Sequence, residues 1–265
     1  MTHGVPHSIA TLRPFPRDPF PPEVTDAVIH QLHGDINSLR ACALTSSSWL
    51  PASRYHLFSD VRFEDEASVL RWIQAFPSSS VIPSYVENLH VSCVSLLDDS
   101  SDIALELSTF TGLKGFFVGG DKVSSVRPRC PNRSCFRRIA LFPSKTLRTL
   151  SLSYPVIPTS DVFAALHHLP HLDNIYLRCF AALPSDGVKG TKTEASPSLS
   201  GALTLVSHLS YGPLVTNFLG FPGGIHFSSL DLAVLREEEL PNLRALTDMC
   251  SHTITSLHLT FDLCK

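Results

Sequence analysis

Two rhythms of apolar residues divide this chain. In "PFPPEVTDAVIHQLHGD", which begins at Pro19, Val24, Val28 and Leu32 recur at i, i+4 and i+8, the spacing of one helix face. Pro21 and Pro22 suit a helix entry and first turn, where a missing N–H costs nothing. Glu23 and Asp26 fall near the positive end of the helix dipole. "HGD" breaks this helix, with Gly34 as the expected C-cap. Asn37 or Ser38 can cap a second helix that carries Leu39, Cys42, Ala43 and Leu44. "TSSS" can cap a third, with Trp49, Ala52, Leu57 and Phe58, and Pro51 is tolerated in its first turn. The expectation is three short helices over 20–58. Such a unit is too small for an independent core of ordinary stability, so a partner is expected to cover its apolar side. Residues 1–18 show no apolar pattern and read as a flexible lead-in.

After residue 60 the period shortens to two. The pattern apolar-x-x-apolar-x-apolar returns as "VENLHV", "LKGFFV", "LRTLSL", "LDNIYL", "VSHLSY", "FSSLDL" and "ITSLHL". Its central positions are Leu89, Phe116, Leu150, Ile175, Leu209, Leu230 and Leu257, 21 to 34 residues apart. Helical spacing appears between copies, as Val162, Phe163, Leu166 and Leu169 in "SDVFAALHHLPHL" and again in "EEELPNLRALTDMC". A strand with a helix or loop return, repeated at this interval, matches leucine-rich repeats of irregular length. One such unit cannot bury its apolar side, but stacked neighbours can. The expected fold class is therefore α/β: a short helical module over 19–60, then a curved solenoid of parallel strands over 61–265. The rival, a compact α/β domain, predicts longer and near-continuous apolar strands. "LPSDGVKGTKTEASPSLSGALT" (183–204) reads as a flexible insertion. The solenoid's C-terminal end is expected to be uncapped, since no polar repeat follows Leu259.

Composition narrows the function. Hydrophobic residues make up 43% and charged ones 17%, enough for a real core. A net charge of −3 with no basic excess argues against nucleic acid. No apolar run is long enough to span a membrane, and no secretory signal is visible, so a cytoplasmic or nuclear location is expected. Seven scattered cysteines form no disulfide framework. Cys130 and Cys135 are the closest pair, too loosely spaced for a zinc knuckle, and no metal or cofactor is expected.

No nucleophile elbow, phosphate loop or dinucleotide fingerprint is present, so no enzyme and no catalytic residue is expected. His167 and His171 have metal-compatible i, i+4 spacing, but Pro170 ends their helix and the simpler reading is a repeat terminus. "RPRCPNRSCFRR" (127–138) is either a basic docking patch or a solvated loop.

With both halves in hand, residues 20–58 resemble an F-box. "FPPEVTDAVIHQL" and "LRACALTSSSWLPASRYHLF" carry its Pro-Pro-Glu start, its helix hydrophobics and its tryptophan. Phe20 stands where the family usually has Leu. The continuation into repeats is similar to F-box proteins abundant in mushroom-forming fungi. The resemblance implies a substrate-receptor subunit of a cullin–RING ubiquitin ligase, acting in ubiquitin-dependent protein degradation. Its front module would dock on a Skp-type adaptor, and through it a cullin, while the repeats hold a protein substrate. By matching position, adaptor contact is expected at Phe20, Pro21, Pro22, Glu23, Val24, Ile29, Leu39, Cys42, Leu44 and Trp49. Each apolar residue among them could instead belong to the module's own core. On the concave face, substrate contact is expected at Glu87, Asn88, His90, Arg148, Asp173, Asn174 and Tyr176. The alternative is a non-catalytic repeat scaffold that serves outside a ligase.

Overall fold

A computed structural model describes residues 20–77, 80–92, 107–119, 139, 145–183, 198–207 and 210–261. The chain divides into two units at Leu57/Phe58. The Cys130/Cys135 pair, the arginine-rich stretch 127–138 and the lead-in 1–18 lie outside the described residues.

The first unit is helical. Helix α1 (Pro22–Gln31) has proline in its first turn and Glu23 beside its N-terminus. It closes at Leu32, at φ −89° and ψ 4°, so Gly34 is not its cap as the sequence led us to expect. Helix α2 (Ile36–Thr45) is capped by Asp35, not by Asn37 or Ser38. The Asp35 carboxylate accepts the Asn37 and Ser38 N–H groups at 3.1 Å each and the Ser38 hydroxyl at 2.6 Å. These bonds to Ser38 hold its pKa below the usual carboxylate value. The "HGD" break thus carries the start of the next helix. Helix α3 (Leu50–Phe58) keeps Pro51 in its first turn.

Among the described residues the second unit is built on one open sheet of eight parallel strands, hydrogen-bonded in chain order. They are β1 (Asp60–Phe63), β2 (Asn88–Val91), β3 (Gly115–Val118), β4 (Thr149–Pro158), β5 (Asn174–Leu183), β6 (Leu199–Ser207), β7 (Ile225–Leu235) and β8 (Ser256–Phe261). Parallel neighbours require a return between them. Among the described residues the α-helical returns are α4 (Glu66–Ala75), α5 (Thr159–Leu166), α6 (Gly212–Leu219) and α7 (Leu240–Met249).

Alternation of side chains sorts the strands into rows. Val61, Leu89, Phe116, Leu150, Ile175, Leu203, Leu230 and Leu257 lie in register across the sheet. All but Leu257 are buried. A second row, from Phe63 to Leu232, lies two residues further along and is buried in the same way. Each fully buried side chain of this kind contributes about 1.5–3 kcal/mol.

Three corrections follow. The sixth position of the row is Leu203, where the repeat pattern pointed to Leu209, which lies outside the described residues. The C-terminal part of the 183–204 stretch is strand β6, not insertion. Strand β1 also joins the sheet ahead of the seven expected strands. Its sequence, Phe58-x-x-Val61-x-Phe63, fits the same pattern.

Backbone bonding repeats with the strands. The carbonyl just ahead of one strand accepts two N–H groups at the start of the next. Ser59 accepts from Glu87 and Asn88, Glu87 from Lys114 and Gly115, Lys114 from Arg148 and Thr149, and Arg148 from Asp173 and Asn174, all at 2.7–3.0 Å. Between β6 and β7, Tyr211 stands at the N-terminus of α6, buried to 3% exposure. Its hydroxyl accepts the Ser207 N–H at 3.1 Å and faces the carbonyls of Leu205 and Ala233.

The two ends of the column differ. At the β1 end, Trp72 of α4 packs edge-on against Phe58 and Phe63 and also meets Phe76 and Phe110. At the other end, Leu257 and Phe261 of β8 are 47% and 49% exposed.

Candidate functional site

Two surfaces carry the residues singled out by sequence. On the helical unit, Pro21, Pro22 and Glu23 are exposed, and so are Phe20, Val24 and Val28, at 57%, 46% and 52%. Val24 and Val28 stand one turn apart on α1. Their spacing puts both on one helix face without fixing which way that face points. The structure turns it outward, because α1 buries Thr25 and Ile29 instead. Leu44 is 89% exposed on α2, and Cys42 is half-buried.

Ile29 of α1 and Leu39 of α2 are both fully buried. Trp49 is half-buried, and its indole N–H and the Ser53 hydroxyl are buried without a hydrogen-bond partner among the described residues. A groove of about 470 Å³ runs along Asp26, Ala27, His30, Ala52, Tyr55 and His56, with the His30 and His56 ring centres 5.2 Å apart.

The outward face of the sheet is the second surface. Asn88, His90, Asn174 and Tyr176 occupy outward strand positions. Glu87, Arg148 and Asp173 each stand one residue ahead of their strand and form an ion-paired margin. Lys114 donates to Glu87 at 2.6 Å, and Arg148 lies 3.9 Å from Asp173 while donating to the His171 carbonyl at 3.1 Å. Pairs this exposed contribute little stability, but they fix where charge is displayed.

His90 stacks on Phe117 of the next strand, ring centres 4.3 Å apart and planes 8° from parallel. Burial pushes the His90 pKa down, against the pull of Asp60 at 3.4 Å, so the ring is neutral near pH 7. At the other end of the same row, the His258 ring lies 2.9 Å from Asp231. Phe117, Lys114, Asp231 and His258 share this face and were not singled out from sequence. The available signal was an aromatic or charged residue at an x position of the repeat pattern.

The His167/His171 pair shows no metal-site geometry. His167 ends α5 and stacks on Phe221 at 4.4 Å, and burial lowers its pKa. Among the described residues no group of three His, Cys, Asp or Glu side chains could hold a metal ion. None of their helices is long and apolar enough to cross a membrane. Cys42, Cys179 and Cys250 are free thiols, and burial raises the pKa of the latter two.

The two surfaces differ in chemistry: one is apolar and helical, the other polar, aromatic and laid out strand by strand. No family model, curated protein or solved structure matches the chain.

Proposed function

We propose that residues 20–58 act as an F-box and that the chain is a substrate receptor of a cullin–RING ubiquitin ligase, working in the cytoplasm or nucleus. The helical module docks on a Skp-type adaptor, and the sheet, taken as a leucine-rich-repeat solenoid, holds a protein substrate. The receptor brings substrate to the ligase, and proximity does the rest.

The observation that carries this reading is the outward stripe of α1. Val24 and Val28 stand about half exposed directly behind the Pro21-Pro22-Glu23 entry, with Phe20 exposed just ahead of it, on a unit with few buried apolar residues of its own. Covering that stripe is worth more to a small module than to a large domain. The eight in-register strands with alternating outward positions support the repeat half of the proposal.

The test is co-purification of the full chain with a Skp-type adaptor. The wild type is expected to form a one-to-one complex by size exclusion. Pro22→Asp combined with Val24→Asp is expected to abolish it without altering the circular dichroism spectrum, because both side chains are exposed. Ile29→Asp, at a buried position, is expected to unfold the module. Adaptor binding that survives the Pro22/Val24 pair rules the F-box reading out and leaves a repeat scaffold.

A further inference from the structure

The groove on the helical unit is lined by one formally charged side chain, the carboxylate of Asp26. Asp26, Ala27 and His30 line it from α1, and Ala52, Tyr55 and His56 from α3. Ala27 and Ala52 bring only methyl groups, which leaves about 470 Å³ open between the helices. That is room for one long side chain, toward the small end of the roughly 300–1,000 Å³ of ligand pockets. Among the described residues Asp26 makes no ion pair. The cation of α3 is Arg54, two residues from both Ala52 and His56. At about 100° per residue it stands about 200° round the helix from each, on the side away from the groove.

The rest of the lining is largely aromatic. The His56 ring meets His30 at 5.2 Å between centres, inclined by 52°, and Tyr55 at 5.1 Å, inclined by 74°. His33 stacks on His30 at 5.8 Å. Inclined rings make a corner, and their faces attract a cation set into it. Asp26 stands one turn before His30 on the same side of α1, the spacing at which helical side chains are neighbours. One group can therefore lie on a ring and bond the carboxylate at once.

We propose that this groove takes an arginine side chain from a partner protein. The unpaired charge selects the class. An apolar occupant would strip water from the Asp26 carboxylate and give it no partner, and an acidic one would add like charge. A guanidinium brings a flat face for the rings and a fork of N–H donors for the carboxylate. The groove opens on another side of α1 from the proposed adaptor stripe, since Asp26 is two residues, about 200°, from both Val24 and Val28. A partner held here leaves that stripe free, so the proposal holds whether or not residues 20–58 act as an F-box. Its test contains no adaptor, and the two can fail separately.

The probe is N-acetyl-arginine amide, titrated into the full chain at about pH 8, where free imidazole is neutral. The readout is histidine-ring NMR, with the His30 and His56 resonances assigned from His30→Gln and His56→Gln. Both are expected to shift saturably, and the shifts to weaken with salt. N-acetyl-citrulline amide, the uncharged isostere, is expected to bind about tenfold or more weakly, and the arginine amide is expected to lose as much on Asp26→Asn. Asp26 is exposed, so that variant keeps the wild-type circular dichroism spectrum. Ala52→Leu, which fills the groove, is expected to abolish the shifts, and Arg54→Gln to leave them unchanged. Equal affinity for the arginine and citrulline amides overturns the proposal, as does wild-type affinity in Asp26→Asn or the absence of a saturable shift. Tighter binding of trimethyl-lysine amide assigns the groove to quaternary ammonium groups, and tighter binding of glutamate amide assigns it to acids; either result overturns the proposal too.

Discussion

Tyr211 offers the sharpest test of how the sheet is held. Tyr211→Phe removes one oxygen and keeps the ring, so packing is preserved. It leaves the Ser207 N–H, and the carbonyls of Leu205 and Ala233 that face the hydroxyl, without that partner in a buried place. An orphaned buried backbone group costs about 1–3 kcal/mol. At about 2 kcal/mol, a unit of this size loses about 4–8 °C in Tm. The assay is thermal and urea unfolding of the full chain, followed by near-ultraviolet circular dichroism.

The pH dependence supplies an independent check. Burial raises the Tyr211 pKa from 10.0 to about 12. Between those values the unfolded chain has released the phenolic proton and the folded chain retains it, so the unfolded state binds fewer protons and stability falls as pH rises. Tyr211→Phe is expected to flatten that alkaline decline relative to wild type. An unchanged Tm at pH 7 together with an unchanged alkaline slope refutes the assignment of the hydroxyl as a tie between β6 and β7.

Further outcomes follow from burial and backbone geometry. Leu150→Ala, at a fully buried position in the centre of the row, is expected to cost about 2–5 kcal/mol in urea unfolding, whereas Leu257→Ala, half exposed on β8, costs about 1 kcal/mol or less. Gly201→Ala is expected to destabilise the β5–β6 pairing, because φ is +87° and the new Cβ would meet the Asp173 carbonyl; hydrogen exchange should rise first in those strands.

Much of the sheet was legible because its rule is local. An apolar residue at the fourth and sixth positions of a copy is both a sequence pattern and, on the described strands β2 to β5 and β7, an inward-facing pair. Six central positions, Leu89, Phe116, Leu150, Ile175, Leu230 and Leu257, fall on described strands in one register. The sixth copy in the column was missed where that local rule breaks. The register shifts between Gly201 and Ala202, and the buried Leu199 stands one residue too far from Leu203 to match a fixed spacing. The next match to the fixed spacing is "VSHLSY", around Leu209. Strand β1 was hidden differently: Phe58, Val61 and Phe63 fit the pattern, but they follow α3 so closely that they read as its tail. On the helical unit, periodicity found the apolar face of α1 but could not say which way it points. That choice depends on packing between helices, where Ile29 and Thr25 prevail over Val24 and Val28. The His90–Phe117 stack was not legible either, since it exists only when two strands far apart in sequence are set side by side.

Among the described residues every strand pairs only with its neighbours in the chain, so force and heat meet this sheet one link at a time. Pulling on β8 has to break the β7–β8 ladder before the next is loaded. Each detached strand leaves behind an edge ready to template its return. The column therefore unravels as a zipper does, tooth by tooth from the β8 end, where Leu257 and Phe261 hold least, while the tryptophan-sealed β1 end lets go last.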